Sequence, residues 1–146
     1  MVIILGADHA GWRLKNKIKD RLSEKGITVK DLGTNSDTSV DYPDYGKAVG
    51  QAVAAGEGEL GILVCGSGIG LSIAANKVKG IRAALCTDAT MGRLAREHND
   101  ANVLVLGERI TGELLALDIA EAFLSANFLG GRHQRRVDKI NALDED

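Results

Sequence analysis

The chain has 146 residues and a formal net charge of −2, and 45% of its residues are hydrophobic. This length suits one domain with a proper core, and the nearly balanced charge gives no reason to expect nucleic acid or an anionic membrane as a partner. Two cysteines are too few for a disulfide framework, and no apolar run is long enough for a signal peptide or a membrane span. We therefore expect a cytoplasmic protein with a single domain over residues 1–146.

The first half of the chain alternates apolar runs with amphipathic segments. Residues 2–6 predict a strand, and residues 12–25 predict a helix because their apolar side chains recur at four-residue intervals. A second strand is predicted over 28–32, followed by a polar loop. Pro43 suits the first turn of a helix, which is predicted over 43–55.

The second half continues this alternation. It predicts three strands and four helices: strands 60–65, 81–86 and 102–106, and helices 71–77, 89–98, 111–126 and 134–143. Strands that alternate with helices predict a three-layer α/β/α fold with a five-stranded parallel, Rossmann-like doubly wound sheet. In such a sheet, ligands bind beyond the carboxyl ends of the strands, at the point where the strand order reverses.

Cys65 ends the third predicted strand and is followed by the glycine-rich segment 66–70, which leads into a helix. Free backbone N–H groups at such a turn can bind an anion, and they lower the pKa of a thiol by favouring the thiolate. Two interpretations stay open. Cys65 is either a base for catalysis or a small buried hydrophobic side chain at a strand end.

The familiar nucleotide motifs do not fit the two glycine-rich loops. Leu71 stands where the dinucleotide fingerprint requires its third glycine. The loop 6–11 is followed by Trp12 and Arg13, where a P-loop has lysine and Ser or Thr. A cysteine phosphatase would need an arginine shortly after its thiol in the sequence, and the segment after Cys65 has none. Binding of a small anionic ligand remains an open interpretation of these loops.

Further polar residues fall into separate places of the predicted fold. Asp8 and His9 follow the first strand, so they line one crevice with Cys65 if the first and third strands are neighbours. His98 and Asn99 end a helix and precede the fifth strand, which places them at the opposite edge of the sheet. His98 is then either a solvated histidine or part of a site on another subunit.

Arg132 and Arg136 lie four residues apart near the start of the last predicted helix, so they can share one face. Cations at a helix start oppose its dipole, which favours an anion between them. A solvated basic face that balances the acidic residues 144–146 fits equally well.

Several motifs together resemble type B ribose-5-phosphate isomerases. They are GADHAG at 6–11, DYPD at 41–44, CGSGIG at 65–70, AANK at 74–77, REHNDAN at 96–102, LGER at 106–109 and GRH at 131–133. The resemblance runs in order from residue 3 to about residue 141, which is far more specific than any single motif. Ser67 departs from the threonine that many members carry, but it keeps the hydroxyl. Because it has Cys65, the chain resembles those members of the family that use a cysteine as the base.

The resemblance implies an aldose–ketose isomerase of the pentose phosphate pathway that interconverts ribose 5-phosphate and ribulose 5-phosphate. Cys65 would then move the proton between C1 and C2, Ser67 would relay a proton between the two oxygens, and His98 would open the sugar ring. The remaining implied residues bind the substrate: Asp8, His9, Tyr42, Gly66, Gly68, Ile69, Gly70, Asn99, Arg109, Arg132 and Arg136.

Two alternatives remain open at this point. The substrate could be a six-carbon sugar phosphate, such as allose or galactose 6-phosphate, or the chain could be a phosphosugar-binding module without catalysis. Because His98 is expected on the opposite edge from Cys65, we expect a homodimer with shared active sites, with a tetramer as the alternative. We expect no cofactor, and no metal because the three histidines are scattered without ligand spacing.

Overall fold

The structure, a computed structural model, describes residues 1–144. Within them five strands and six helices follow one another: β1 (Val2–Ala7), α1 (Trp12–Glu24), β2 (Thr28–Asp31), α2 (Tyr42–Ala54), β3 (Leu60–Cys65), α3 (Ile69–Ala75), β4 (Ala83–Leu85), α4 (Ala89–Asn99), β5 (Val103–Gly107), α5 (Glu113–Ser125) and α6 (Arg132–Ala142). The predicted domain and the acidic tail both end at residue 146, and their last two residues lie outside the described residues.

The strands form one parallel sheet in the order β2-β1-β3-β5-β4. β3 lies at the centre, and all six of its residues are buried because helices cover both faces of the sheet. β1 and β3 are direct neighbours, with Ile3 opposite Leu60 and Ala7 opposite Val64. The predicted five-stranded parallel sheet is confirmed.

Two apolar clusters, one on each face of the sheet, form the core. Ile3 and Leu5 of β1 pack on the side of α1, α4 and α5, whereas Ile4 between them packs with α2 and α3 on the other side. This division follows from the two-residue period of a strand, which turns successive side chains to opposite faces. The result is the predicted three-layer α/β/α arrangement.

Two helices begin earlier than their periodicity predicts. α3 starts at Ile69 because Gly68, with φ of 82°, adopts a left-handed conformation that turns the chain straight from the loop into the helix. α6 starts at Arg132 because Gly130 and Gly131 both have positive φ and form the preceding turn. Arg132 is therefore in the first turn of its helix.

The first turns of α4 and α1 are capped in different ways. Asp88 caps α4, since its Oδ1 accepts a hydrogen bond of 2.7 Å from the Met91 N–H. At α1 the Leu14 N–H donates to Glu108 Oε1 at 2.7 Å, across 94 residues of sequence. Glu108 thus ties the start of α1 to the end of β5.

Over residues 1–144, every helix is too short or too polar to cross a membrane.

Two glycines that precede helices allow a matched test of how closely the loops pack. An ideal Cβ at Gly11 would lie 2.8 Å from the Cys65 backbone nitrogen and would collide with the Val64 carbonyl, whereas one at Gly112 would meet nothing within 4 Å. We expect Gly11→Ala to lower the free energy of unfolding by at least about 2 kcal/mol through overpacking.

The control, Gly112→Ala, should cost about 1 kcal/mol or less, since it loses only the preference of an N-cap position for glycine. Denaturant unfolding measures both variants. Equal losses in the two variants would contradict the close approach of the α1 start to β3.

Candidate functional site

A crevice opens at the carboxyl ends of β1 and β3. The Asp8 N–H donates a 3.2 Å hydrogen bond to the Val64 carbonyl, and the Gly11 backbone packs directly on Val64 and Cys65. The loop that carries Asp8 and His9 therefore lies beside the loop that begins at Cys65. This is the juxtaposition expected from neighbouring first and third strands.

The loop after Cys65 folds back around the thiol. The Gly68 N–H donates to Cys65 Sγ at 3.1 Å, and the Ile69 N–H donates to Ser67 Oγ at 3.2 Å. The thiol is buried, with 5% of the residue exposed, whereas Ser67 is exposed beside it. The arrangement puts one enclosed thiol and one accessible hydroxyl on the same short turn.

The expected lowering of the Cys65 pKa is wrong. Desolvation by burial raises the pKa of the thiol above its ordinary value, and the negative charge of Asp8 acts in the same direction. Backbone N–H groups of Leu71 and Gly68 favour the thiolate, but they do not outweigh burial.

The loop between β5 and α5 forms another wall of the crevice. The Glu108 N–H donates to the Cys65 carbonyl at 2.8 Å, and the Arg109 N–H donates to the Gly66 carbonyl at 3.0 Å. The Arg109 guanidinium lies over Gly66, with Nη1 3.3 Å from an ideal Cβ there. An exposed cation is thereby held against the glycine-rich loop.

Tyr42 and His9 complete this group. The Tyr42 ring lies so close to Gly70 that an ideal Cβ at Gly70 would be 2.5 Å from Cε2, so only glycine leaves room for the ring. His9 Nδ1 accepts a 3.1 Å hydrogen bond from the Val40 N–H. The structure thus gathers one set of predicted residues around the crevice: Asp8, His9, Tyr42, Cys65, Gly66, Ser67, Gly68, Ile69, Gly70 and Arg109.

A second group lies where α4 ends and α6 begins. The His98 ring stacks on the His133 ring, with centroids 4.3 Å apart and planes inclined by 13°. The Leu129 N–H donates to the Glu97 carbonyl at 3.0 Å, which fastens the turn before α6 to α4. The exposed side chains of Asn99, Arg132 and Arg136 belong to this group.

The two groups belong to opposite edges of the sheet. α4 starts beyond the carboxyl end of β4 and runs back, so that Asn99 is followed by residues entering the amino end of β5. There the Asn102 N–H donates to the Arg82 carbonyl, just ahead of β4. One subunit therefore does not bring His98, Asn99, Arg132 or Arg136 to its own Cys65.

His133 is a residue of this second group that the sequence analysis did not single out. Desolvation lowers the pKa of His133, and the charges of His98, Arg132 and Arg136 act in the same direction, so its neutral form is favoured. The signal was its place directly after Arg132 in the GRH motif. Its partner His98 lies 35 residues earlier, and no local pattern connects the two rings.

Known proteins share this sequence and fold over nearly the whole chain. Residues 3–140 match the family described as Ribose/Galactose Isomerase. Ribose-5-phosphate isomerase B of Escherichia coli K12 is 49% identical over 143 residues, which cover 98% of this chain and 96% of that protein. The chain belongs to the ribose/galactose isomerase family.

Solved structures of family members superimpose closely on this fold. Ribose-5-phosphate isomerase B of Clostridium thermocellum has a TM-score of 0.98 at 54% identity, covering 99% of this chain and 98% of that one. The enzyme of Mycoplasma genitalium, whose crystal structure has ribulose-5-phosphate bound, has a TM-score of 0.95 at 44% identity. That match covers 99% of this chain and 97% of the other.

The raised pKa of Cys65 predicts how the thiol reacts. Iodoacetamide attacks the thiolate, so alkylation of Cys65 in the ligand-free protein should be slow near neutral pH and should still be rising above about pH 9. Mass spectrometry of timed samples gives the rate at each pH. A rate that levels off below pH 8 would contradict the effect of burial.

Cys86 provides the internal comparison. Desolvation, aided by the charge of Asp88, raises the pKa of Cys86 to about 11. In a Cys65→Ser variant only Cys86 remains, and its alkylation should be slower than that of Cys65 at every pH.

Proposed function

We propose that this protein is an isomerase that interconverts ribose 5-phosphate and ribulose 5-phosphate through an enediolate. The observation that carries the proposal is the thiol of Cys65, enclosed by a glycine-rich loop and placed beside Asp8 at the carboxyl edge of the sheet. The relatives from Escherichia coli and Mycoplasma genitalium, which are named for this activity, support the choice of substrate.

The reaction requires a base that takes a proton from one carbon and returns it to the next. Cys65 serves as this base, removing the C2 proton of ribose 5-phosphate and delivering it to C1. Burial makes the Cys65 thiolate scarcer at neutral pH but also makes it a stronger base, which suits the weak acidity of a sugar carbon. The Gly68 N–H, already bonded to Sγ, stabilises the thiolate when it forms.

The negative charge that develops on the substrate oxygens needs donors held in place beforehand. Backbone N–H groups of the loop 66–70 supply them, and one such donor is typically worth about 3 kcal/mol of transition-state stabilisation. The exposed Ser67 hydroxyl relays the proton between O1 and O2. Asp8 accepts hydrogen bonds from the sugar hydroxyls, and the Tyr42 ring over Gly70 forms a wall of the site.

The second group of residues completes the site of a partner subunit in a homodimer. His98 of one subunit then opens the furanose ring bound beside Cys65 of the other, while Asn99 holds hydroxyls. An apolar surface next to the crevice supports this assembly, because Ile69 and Ile73 on α3 are 56% and 58% exposed. A tetramer built from two such dimers would keep the same sites.

The groups that hold the phosphate come from both subunits in this arrangement. His9 and Arg109 contribute from the crevice, and Arg132 and Arg136 contribute from the first turns of the partner's α6. Arginine suits this role because its guanidinium binds phosphate oxygens through two parallel hydrogen bonds.

A second candidate is the same reaction on a six-carbon sugar phosphate. The family description names galactose as well as ribose, so membership of the family does not by itself decide between the two substrates. Parallel assays with ribose 5-phosphate, allose 6-phosphate and galactose 6-phosphate decide between them. We expect the highest kcat/KM with ribose 5-phosphate.

Replacing the proposed base tests the mechanism. We expect Cys65→Ser to bind ribose 5-phosphate normally but to lose turnover by at least about a hundredfold, because a serine hydroxyl is too weak an acid to be deprotonated here. Formation of ribulose 5-phosphate, measured without added metal, reports the loss. Cys86→Ser makes the same substitution at a buried thiol outside the crevice and should keep most activity. Turnover of Cys65→Ser within a few-fold of the parent would exclude the thiol as base.

Replacing the arginines of α6 tests the phosphate site. Arg132→Ala and Arg136→Ala should each weaken binding of ribose 5-phosphate by about 1.5–3 kcal/mol through loss of charge-assisted hydrogen bonds. Arg135→Ala removes an equally exposed charge from the same helix and should change affinity little. Calorimetric titration compares the three. Equal, small effects in all three variants would show that Arg132 and Arg136 are solvated side chains that do not contact the phosphate.

A further inference from the structure

Lys15 is a fully buried cation that the isomerase mechanism does not use. It lies on α1, and its side chain has no exposed surface. Its Nζ donates hydrogen bonds of 2.7 Å to Asp31 Oδ1, Asp31 Oδ2 and Asn35 Oδ1. A buried charge is costly unless its bonds are satisfied, so this pairing must keep the three residues together.

The bonds of Lys15 anchor the connection between β2 and α2, residues 32–41. Asp31 Oδ1 also accepts from the Gly33 N–H at 2.9 Å. The same segment pairs with the end of β1, since the Ala7 N–H donates to the Gly33 carbonyl at 2.7 Å and the Thr34 N–H donates to the Ala7 carbonyl at 2.8 Å. The first part of the loop is therefore fixed to both α1 and β1.

The last part of the loop reaches into the crevice at His9. The Val40 N–H donates to His9 Nδ1 at 3.1 Å. In a neutral imidazole one nitrogen donates and the other accepts, so a ring whose Nδ1 accepts carries its proton on Nε2. The position of the loop therefore determines which nitrogen of His9 can donate to a ligand.

We propose that Lys15 is a positioning residue for phosphate binding. Through Asp31 and Asn35 it holds the loop 32–41 in the place where the Val40 N–H selects the Nε2–H tautomer of His9, and that N–H then donates to the substrate phosphate. The role of the phosphate rests on the proposed function, whereas the link from Lys15 to the tautomer of His9 does not depend on any reaction.

Lys19 provides a matched control for Lys15. Its Nζ lies 3.3 Å from Asp31 Oδ2, but 43% of its side chain is exposed, and the bond to Asn35 Oδ1 comes from Lys15 instead. Lys15→Met and Lys19→Met thus remove the same charge from two neighbours of one carboxylate. Only the first variant should release the loop.

Nitrogen-15 NMR of the histidines in the ligand-free protein tests the tautomer directly. We expect His9 of the parent and of Lys19→Met to show an unprotonated Nδ1 and a protonated Nε2 at pH 8. In Lys15→Met the two nitrogens should shift toward the averaged values of an exchanging imidazole. A stability change alone would not alter the tautomer of His9 in the folded protein.

Kinetics with ribose 5-phosphate test the consequence. Lys15→Met should raise KM about tenfold while kcat stays within about twofold, because a contact made equally to substrate and transition state is lost. Lys19→Met should match the parent. Should Lys15→Met fail to fold, Asn35→Ala replaces it in the same measurements. Asn35 is exposed, so we expect its loss to free the loop while the ion pair between Lys15 and Asp31 stays intact.

The outcomes separate this inference from the proposed function. If no isomerase activity is found, titration with inorganic phosphate followed at the His9 nitrogens replaces KM, and weaker binding in Lys15→Met or Asn35→Ala still supports the positioning role. A protonated Nδ1 in the parent would overturn it. So would parental His9 signals together with unchanged KM, or unchanged phosphate affinity, in the variants that remove Lys15 or Asn35.

Discussion

The common direction of the five strands is the constraint on which the site depends. Because β1, β3 and β5 run in parallel side by side, their carboxyl ends meet at one edge, and the three loops that follow must pack on one another. This brings Asp8, Cys65 and Arg109 together although they are distant in sequence. The same constraint sends α4 back to the amino edge, which separates His98 from the crevice of its own subunit.

The loops at that edge approach so closely that backbone, rather than side chains, forms much of the contact. An ideal Cβ at Gly107 would lie 2.6 Å from the Ser67 carbonyl carbon, and one at Gly68 would lie 3.2 Å from the Leu106 carbonyl carbon. Glycine at these positions lets the loop after β3 settle onto the end of β5. The thiol of Cys65 is enclosed as a result, and its raised pKa follows from this enclosure.

Local patterns in the sequence were sufficient to predict the elements and their arrangement. Apolar runs and helical periodicity gave all five strands and six helices to within a few residues, and the alternation of the two predicted the parallel sheet. The position of His98 between a helix and a strand was enough to place it away from Cys65. These features depend on short stretches of chain, where periodicity and glycine carry the information.

Features that depend on distant parts of the chain could not be predicted in the same way. The direction of the Cys65 pKa shift requires a comparison between burial and backbone hydrogen bonds, and only the folded loop decides it. Lys15 occupies a helix position where lysine is usually solvated, and its burial becomes apparent only when Asp31 and Asn35 close over it. The cap that Glu108 provides for α1 likewise spans too much sequence to leave a local signal.

The sharing of each active site between two subunits is tested most directly by mixing two inactive variants. Cys65→Ser damages only the crevice and His98→Ala only the second group, so a mixed dimer contains one intact site. After complete subunit exchange, verified by native mass spectrometry, activity should recover to about a quarter of the parental value, because half of the dimers are mixed. Mixing Cys65→Ser with Ser67→Ala, which damages the same crevice, should restore nothing. Absence of recovery in the first mixture, or full activity in a monomer, would contradict a shared site.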